Sequence, residues 1–313
     1  MTSFHPSGAV LYERLVSRLR MRHLRLLVAL EQCLTLGAAG AEVGMSQPAA
    51  TQMLKEMESL LGAQLYERHS RGMRPTAVGQ LLVAQARLIL GSVRHVADAT
   101  AAQLAGEGQP LAVGAIPAAV AGLLERRLDA LRRLLPTMRL SVVEDSPDHV
   151  MALLGAGVIQ VALVREPPAG AMEQFRFIAL CDDRLAIVAA PSHPMARRRS
   201  VQLADLHRHA WSLPVATHPA GIAFQQACRD AGFTPQGSNI QSTSTALLCS
   251  VTADGQTLAA VPLSIASGLL RAGQLVEIAV RQTIALPPLG AMHAQTGILP
   301  AATALVNLLA ARA

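Results

Sequence analysis

Residues 44–62, GMSQPAATQMLKEMESLLG, carry the clearest chemistry in the chain. Placed at 100° per residue, Gln47, Pro48, Thr51, Gln52, Lys55 and Ser59 share one side of a helix. Ala50, Met53, Leu54, Met57, Leu60 and Leu61 share the other. The apolar side must be buried. The polar side is short and holds one cation. Glutamine can pair with the donor and acceptor of an adenine edge, lysine with guanine, and threonine can touch a thymine methyl group. Gln47, Pro48, Thr51, Gln52 and Lys55 are therefore the candidate base-reading residues. A merely solvated helix face has the same composition, so the segments on either side must decide. Downstream, Arg68, Arg71 and Arg74 lie on or beside a turn, His69-Ser70-Arg71-Gly72. Short strands are predicted on its two sides, at 64–67 and 73–75. Guanidinium groups so placed suit phosphates or a narrow minor groove.

The elements that hold these residues are also legible. Met21–Cys33 repeats apolar residues at Leu24, Leu27, Val28 and Leu30, as an amphipathic helix does. Thr35 can cap a short alanine-rich helix over 36–43, and Ser46 can cap the polar-strip helix with Pro48 in its first turn. Three helices and a hairpin predict a winged helix-turn-helix over residues 21–79. Residues 1–20 are an extension without an assigned structure. Thr76 can cap a long helix reaching about Gly106. Its stripe Val78, Leu82, Ile89, Val93 and Val96 needs cover that a lone helix does not provide. A second copy of the chain is the simplest cover, so 76–106 is predicted to be a linker and dimerisation helix.

After the linker GEGQP at 106–110 the texture changes. Strands are predicted at 111–116, 138–143, 158–164, 184–190 and 257–261, with helices at 117–135, 150–155 and 300–311. This alternation predicts an α/β fold with a largely parallel, doubly wound sheet. The expected arrangement of 110–313 is two lobes with a cleft, lobe I at about 110–166 and 264–313, lobe II at about 167–263.

Charge agrees with this division. Residues 1–95 hold 11 Lys+Arg against 6 Asp+Glu, and residues 96–313 hold 16 against 15. The basic excess lies on the part expected to meet a phosphate backbone. The four cysteines (33, 181, 228 and 249) are scattered and predicted to be small buried apolar residues. His207 and His209 beside Asp205, and Arg197-Arg198-Arg199, read as solvated loops. No GxSxG elbow, HExxH pair or Walker loop occurs. The expectation is no enzyme, no metal and no cofactor. No apolar run of ~18 residues predicts a membrane span and no signal-peptide pattern opens the chain, so a cytoplasmic address is expected.

These residues resemble the LysR-type transcriptional regulators of bacteria. The likeness is carried by Ala38-Ala39, Ser46-Gln47-Pro48-Ala49, 60–68 (LLGAQLYER), 71–76 (RGMRPT) and Gly79. Weaker agreement continues at 153–164, Ser192-His193-Pro194 and 254–262. The resemblance implies a sequence-specific DNA-binding regulator controlled by a small-molecule co-inducer. It implies a C-terminal effector domain like a small periplasmic binding protein, with the effector held between the lobes. Its implied partners are an operator in double-stranded DNA, a homodimer or homotetramer, and RNA polymerase. It assigns base reading to Gln47, Pro48, Thr51 and Gln52, with Lys55 in either role. It assigns phosphate positioning to Ser46, Arg68, Arg71, Arg74 and Thr76.

For the effector, the resemblance points to the turns 115–119, 146–148, 214–218 and 242–245. It nominates Ala115, Ile116, Ser146, Thr217, Ser242, Thr243 and Ser244. The first turn, AIPAA, lacks the hydroxyl that many members carry, and Gln160 stands where they commonly have Asp. An alternative is a solute-binding receptor module whose helix-turn-helix meets protein, without sequence preference for DNA. A third is an enzyme holding substrate between the lobes.

Overall fold

The computed structural model describes residues 7–69, 72–134, 136, 138–167, 174–242, 244–295 and 298–311, with the backbone alone at 109 and 236–241. Two compact units form: residues 1–110 with 151–159, and residues 111–150 with 160–313.

The first unit opens with α1 (Gly8–Arg18), a helix in the segment that the sequence left unassigned. Then come α2 (Met21–Cys33), α3 (Leu36–Glu42) and α4 (Gln47–Leu61). Thr35 Oγ1 accepts from the Ala38 N–H at the start of α3, and Ser46 Oγ from the Ala49 N–H at the start of α4. Both caps satisfy amides that have no partner inside their helix. Gly62 ends α4 in the left-handed conformation. The small residues of α3 let it approach α4 closely: a Cβ on Gly40 would stand 3.3 Å from the Ala50 Cβ. Leu26, Leu27, Leu30, Ala39, Ala50, Met53, Leu54, Met57 and Leu65 share one buried core. Burial of such side chains contributes about 1.5–3 kcal/mol each for the large aliphatic ones.

The hairpin pairs β1 (Tyr66–His69) with β2 (Gly72–Pro75), antiparallel. It is tied to the core at two points. The Tyr66 hydroxyl donates to the Leu27 carbonyl (3.0 Å), and the Met73 N–H donates to the Leu34 carbonyl (2.7 Å). Gly72 has φ +119, and a Cβ there would lie 2.6 Å from the same Leu34 carbonyl, so only glycine fits. Thr76 then caps α5 (Ala77–Leu104).

The second unit is built on one sheet of nine strands, in order β4-β3-β5-β11-β6-β9-β7-β8 with β10 beside β6. Its strands are β3 (Gln109–Ala115), β4 (Met138–Glu144), β5 (Val161–Arg165), β6 (Phe175–Ala189), β7 (Ala210–Pro214), β8 (Gln236–Ser242), β9 (Thr257–Pro262), β10 (Val276–Glu277) and β11 (Ile284–Ala294). The helices between its strands in sequence are α6 (Pro117–Ala119), α7 (Leu128–Leu134), α8 (Pro147–Gly155, which from 151 onward counts with the first unit), α9 (Pro219–Asp230), α10 (Thr245–Val251), α11 (Leu263–Arg271) and the closing α12 (Pro300–Ala310).

The α/β class stands, but the sheet is mixed rather than largely parallel. β3 with β5, and β7 with β8 and β9, are parallel. The centre is antiparallel: β11 pairs with β5 and β6, and β6 with β9. The single helix expected over 117–135 is broken. A π-helical stretch, Val120–Leu124, and a 3-10 turn, Glu125–Arg127, separate α6 from α7. On one side of the sheet, Trp211 packs on Phe224 (ring centroids 4.8 Å apart) among Leu185, Leu203, Leu258, Ile278 and Leu286.

Candidate nucleic-acid interface

α4 sorts its residues as its periodicity requires. Ala50, Met53, Leu54 and Met57 are buried, while Gln47, Pro48, Gln52 and Lys55 are exposed and Thr51 is half-buried. The side chains make few bonds that would hold them back. The Thr51 hydroxyl donates to the Gln47 carbonyl within the helix (2.8 Å), and the Gln52 amide donates to Glu56 (3.3 Å). Gln47 lies across Gly37 of α3, where a Cβ would be 3.6 Å from its amide oxygen. A polar strip is thus presented on a helix that is fixed from behind.

Among the nominated phosphate contacts, Arg68 on β1 and Arg74 on β2 are exposed and free of ion pairs among the described residues. Arg71 lies outside the described residues. Ser46 uses its side-chain oxygen as the cap of α4. Thr76 donates to the Gln64 carbonyl (2.8 Å) and accepts from the Gly79 N–H (3.1 Å), so its hydroxyl is already engaged. On α5, Val78, Ile89, Val93 and Val96 are exposed, the last two at 46% and 63%; Leu82 packs against the core instead.

The turns nominated for an effector occupy strand-to-helix junctions of the second unit. Ala115 and Ile116 are buried, and the Asp145 N–H donates to the Ala115 carbonyl (3.1 Å), which brings the first two turns together. The hydroxyls mostly serve local caps. Ser146 accepts from the His149 N–H, Ser242 from the Ser244 N–H, and Ser244 from the Leu247 N–H. Thr217 is exposed. Thr243 lies outside the described residues. Gln160 Oε1 accepts from the Ala112 N–H (2.9 Å), so it serves its strand end.

Sequence reasoning missed a buried charge cluster in this unit. The Arg165 guanidinium meets Asp183 at 2.7 Å, with side chains 11% and 3% exposed. Asp183 also accepts from the Ser264 N–H (3.1 Å) and hydroxyl (2.8 Å) at the start of α11. Arg165 donates in addition to the Pro287 carbonyl (2.9 Å). The cluster joins β5, β6, α11 and β11. Its sequence signal was the run Asp182-Asp183-Arg184 in the middle of a largely apolar strand.

Two of the four cysteines are not buried as expected. Cys33 is half-buried with its thiol on Glu42 (3.0 Å), which raises its pKa, and Cys181 is half-buried against the Asp182 carbonyl. Burial pushes the Cys228 thiol up to about 12 and the Cys249 thiol up to about 11. Since the thiolate is the nucleophile, both are held inert. With a thiol reagent at pH 8, the native chain is expected to label Cys181 first and Cys228 and Cys249 only after unfolding. Rapid labelling of all four would contradict their burial. No cluster of three metal-ligating side chains occurs among the described residues, and no described helix is long and apolar enough to cross a membrane.

A capped helix with a free polar strip, a core-anchored hairpin and a long helix beyond them define a winged helix-turn-helix regulator. Residues 21–80 match the bacterial regulatory helix-turn-helix protein model of the lysR family, and residues 104–313 match the LysR substrate binding domain. The chain is 28% identical to the HTH-type transcriptional regulator GbpR of Azospirillum brasilense, over 88% of this chain and 81% of that one. It is 30% identical to the uncharacterized HTH-type transcriptional regulator YdcI of Escherichia coli, over 72% and 71%. Its fold is that of a full-length OxyR variant from Pseudomonas aeruginosa (TM-score 0.61, 23% identity, 94% of each chain). Full-length CbnR in complex with its target DNA is similar too (TM-score 0.54, 22% identity, 93% of this chain and 98% of that one). The chain belongs to the LysR family of transcriptional regulators, which join a DNA-binding helix-turn-helix to an effector-binding domain.

Proposed function

We propose that α4 enters the major groove of an operator and reads it with Gln47, Pro48, Thr51, Gln52 and Lys55. Arg68 and Arg74, together with Arg71 between them in the sequence, hold the backbone through the wing. Ser46 and Thr76 act through the helix ends they cap, where N–H groups can meet phosphate oxygens. The observation that carries this reading is the exposed strip Gln47–Lys55 on a helix whose other face is locked in the core. A small-molecule co-inducer takes the turns at 115–119, 146–148, 214–218 and 242–245, with Ala115 and Ile116 shaping the first of them and the hydroxyls of Ser146, Thr217, Ser242 and Ser244, together with Thr243, as its candidate polar contacts. The chain works as a regulator rather than as an enzyme, in the cytoplasm with the chromosome, and its output passes to RNA polymerase.

The exposed valines of α5 are best explained by a second copy of the helix, which makes the working unit a homodimer and, by pairing of dimers, a tetramer. Two linked reading heads multiply the affinity of one, by roughly 100-fold or more. A gel-shift titration on an operator tests both points. The double variant Val93→Glu/Val96→Glu is expected to halve the mass seen by light scattering and to weaken operator binding about 100-fold. An unchanged mass with unchanged affinity would overturn the assignment of α5.

A further inference from the structure

α1 lies outside the segment that matches the family's helix-turn-helix, yet it sits beside the base-reading helix. Arg14 Nη1 reaches the Leu60 carbonyl near the end of α4 (3.5 Å). Between α1, the start of α2 and α4 opens a groove of about 1200 Å³. Its lining includes five cations, Arg14, Arg18, Arg20, Arg22 and Lys55, against two carboxylates, Glu13 and Glu56. All five cations are exposed, and none is ion-paired among the described residues. Gln52, Lys55 and Ser59 of the polar strip form one side of the same groove, so it is continuous with the face that reads bases.

His23 is part of the wall and is only 5% exposed. Its Nδ1 accepts from the Arg20 N–H (3.0 Å), which leaves the proton of a neutral ring on Nε2. Burial, and then Arg22 and Arg20, hold its pKa below the usual histidine value, so the ring is neutral at pH 7. Nε2 has no hydrogen-bond partner, and Glu56 stands 4.0 Å away. The groove therefore gathers five mutually repelling cations around two carboxylates, while the neutral His23 in its wall adds no charge. This excess calls for a polyanion rather than an apolar or cationic partner.

We propose that this groove is a second phosphate clamp, in which Arg14, Arg18, Arg20 and Arg22 grip the DNA backbone bordering the major groove that α4 enters. The inference rests on the placement of α4 in the duplex. It adds a contact from outside the winged domain's own sequence limits, and it makes α1 part of the DNA-binding surface. α1 buries none of its residues, so its charges can be removed without opening the core.

The test is the salt dependence of duplex binding by the intact chain, for the double variant Arg14→Gln/Arg18→Gln and for Arg22→Gln, with Arg208→Gln as a distant control. Each phosphate contact contributes about 0.9 to the slope of log affinity against log salt. The double variant should lower the slope by about 2, Arg22→Gln by about 1, and the control by nothing, on operator and on random duplex alike. Sequence preference should stay as in the parent. A parent-like slope in the arginine variants would overturn the clamp, as would tighter binding, which would make α1 a cover over α4. Absence of any sequence preference in the parent would instead count against base reading by α4, and the slope on random duplex would still decide the clamp.

Discussion

Replacing Asp183 by alanine is expected to lower the unfolding free energy of the effector-binding unit by about 3–5 kcal/mol. The cause is what the change leaves behind. Arg165 would keep a guanidinium only 11% exposed with no carboxylate, and the Ser264 hydroxyl and N–H would lose their acceptor. A buried charge without its partner costs far more than the intact pair contributes. Denaturant unfolding followed by Trp211 fluorescence reports on this unit, because Trp211 is the only tryptophan and is fully buried there. Two further variants separate charge from hydrogen bonding. Asp183→Asn keeps acceptor and shape and should cost less than Asp183→Ala. Arg165→Met/Asp183→Leu removes both charges together and should be more stable than Asp183→Ala, retaining only the loss due to the unpaired Ser264 groups. A loss below about 1 kcal/mol for Asp183→Ala, the size typical of an exposed pair, would mean that the cluster is solvated.

The double variant Gln47→Ala/Gln52→Ala is expected to lose roughly 2–6 kcal/mol of operator binding, at ~1–3 kcal/mol for each base contact. Binding to random duplex should hardly change, since phosphate contacts carry that affinity. The salt slope should remain that of the parent. This pattern is the reverse of the one expected for Arg14 and Arg18, which should alter the slope and leave the preference intact. Gel shifts at several salt concentrations read both quantities. A loss of the same size on operator and random duplex would show that the two glutamines support binding without reading bases.

The DNA-binding unit was legible because its signals are local. The strip of α4 follows from helical period alone, Ser46 and Thr76 cap where hydroxyls precede helices, and Gly72 marks a turn that no other residue can make. α1 was illegible for the same reason. Val10, Tyr12 and Val16 stay exposed, so the segment has no buried stripe to announce a helix. The centre of the sheet depended on partners far apart in sequence. Apolar runs predict the end of β6, at 184–190, but not β11, and nothing in either encodes that they run antiparallel. Prolines are disfavoured inside a central strand, yet β11 accommodates Pro287 and Pro288 where its register shifts between Leu286 and Leu289. Their carbonyls are still used, by Arg165 and by the Glu166 N–H. Asp183 carries no local sign of its role, because its partners come from positions 165 and 264. The helix predicted at 117–135 breaks where Gly122 meets Ser264 and Leu289, a contact that periodicity does not record.

Selection of duplexes from a random pool by the intact chain tests the central claim most directly, because it asks whether the Gln47–Lys55 strip distinguishes base pairs. The account predicts enrichment of an imperfect palindrome with half-sites spaced by whole helical turns, as a dimer of reading heads requires. Recovery of the pool with no enriched sequence, at salt concentrations where the chain still binds DNA, would contradict it.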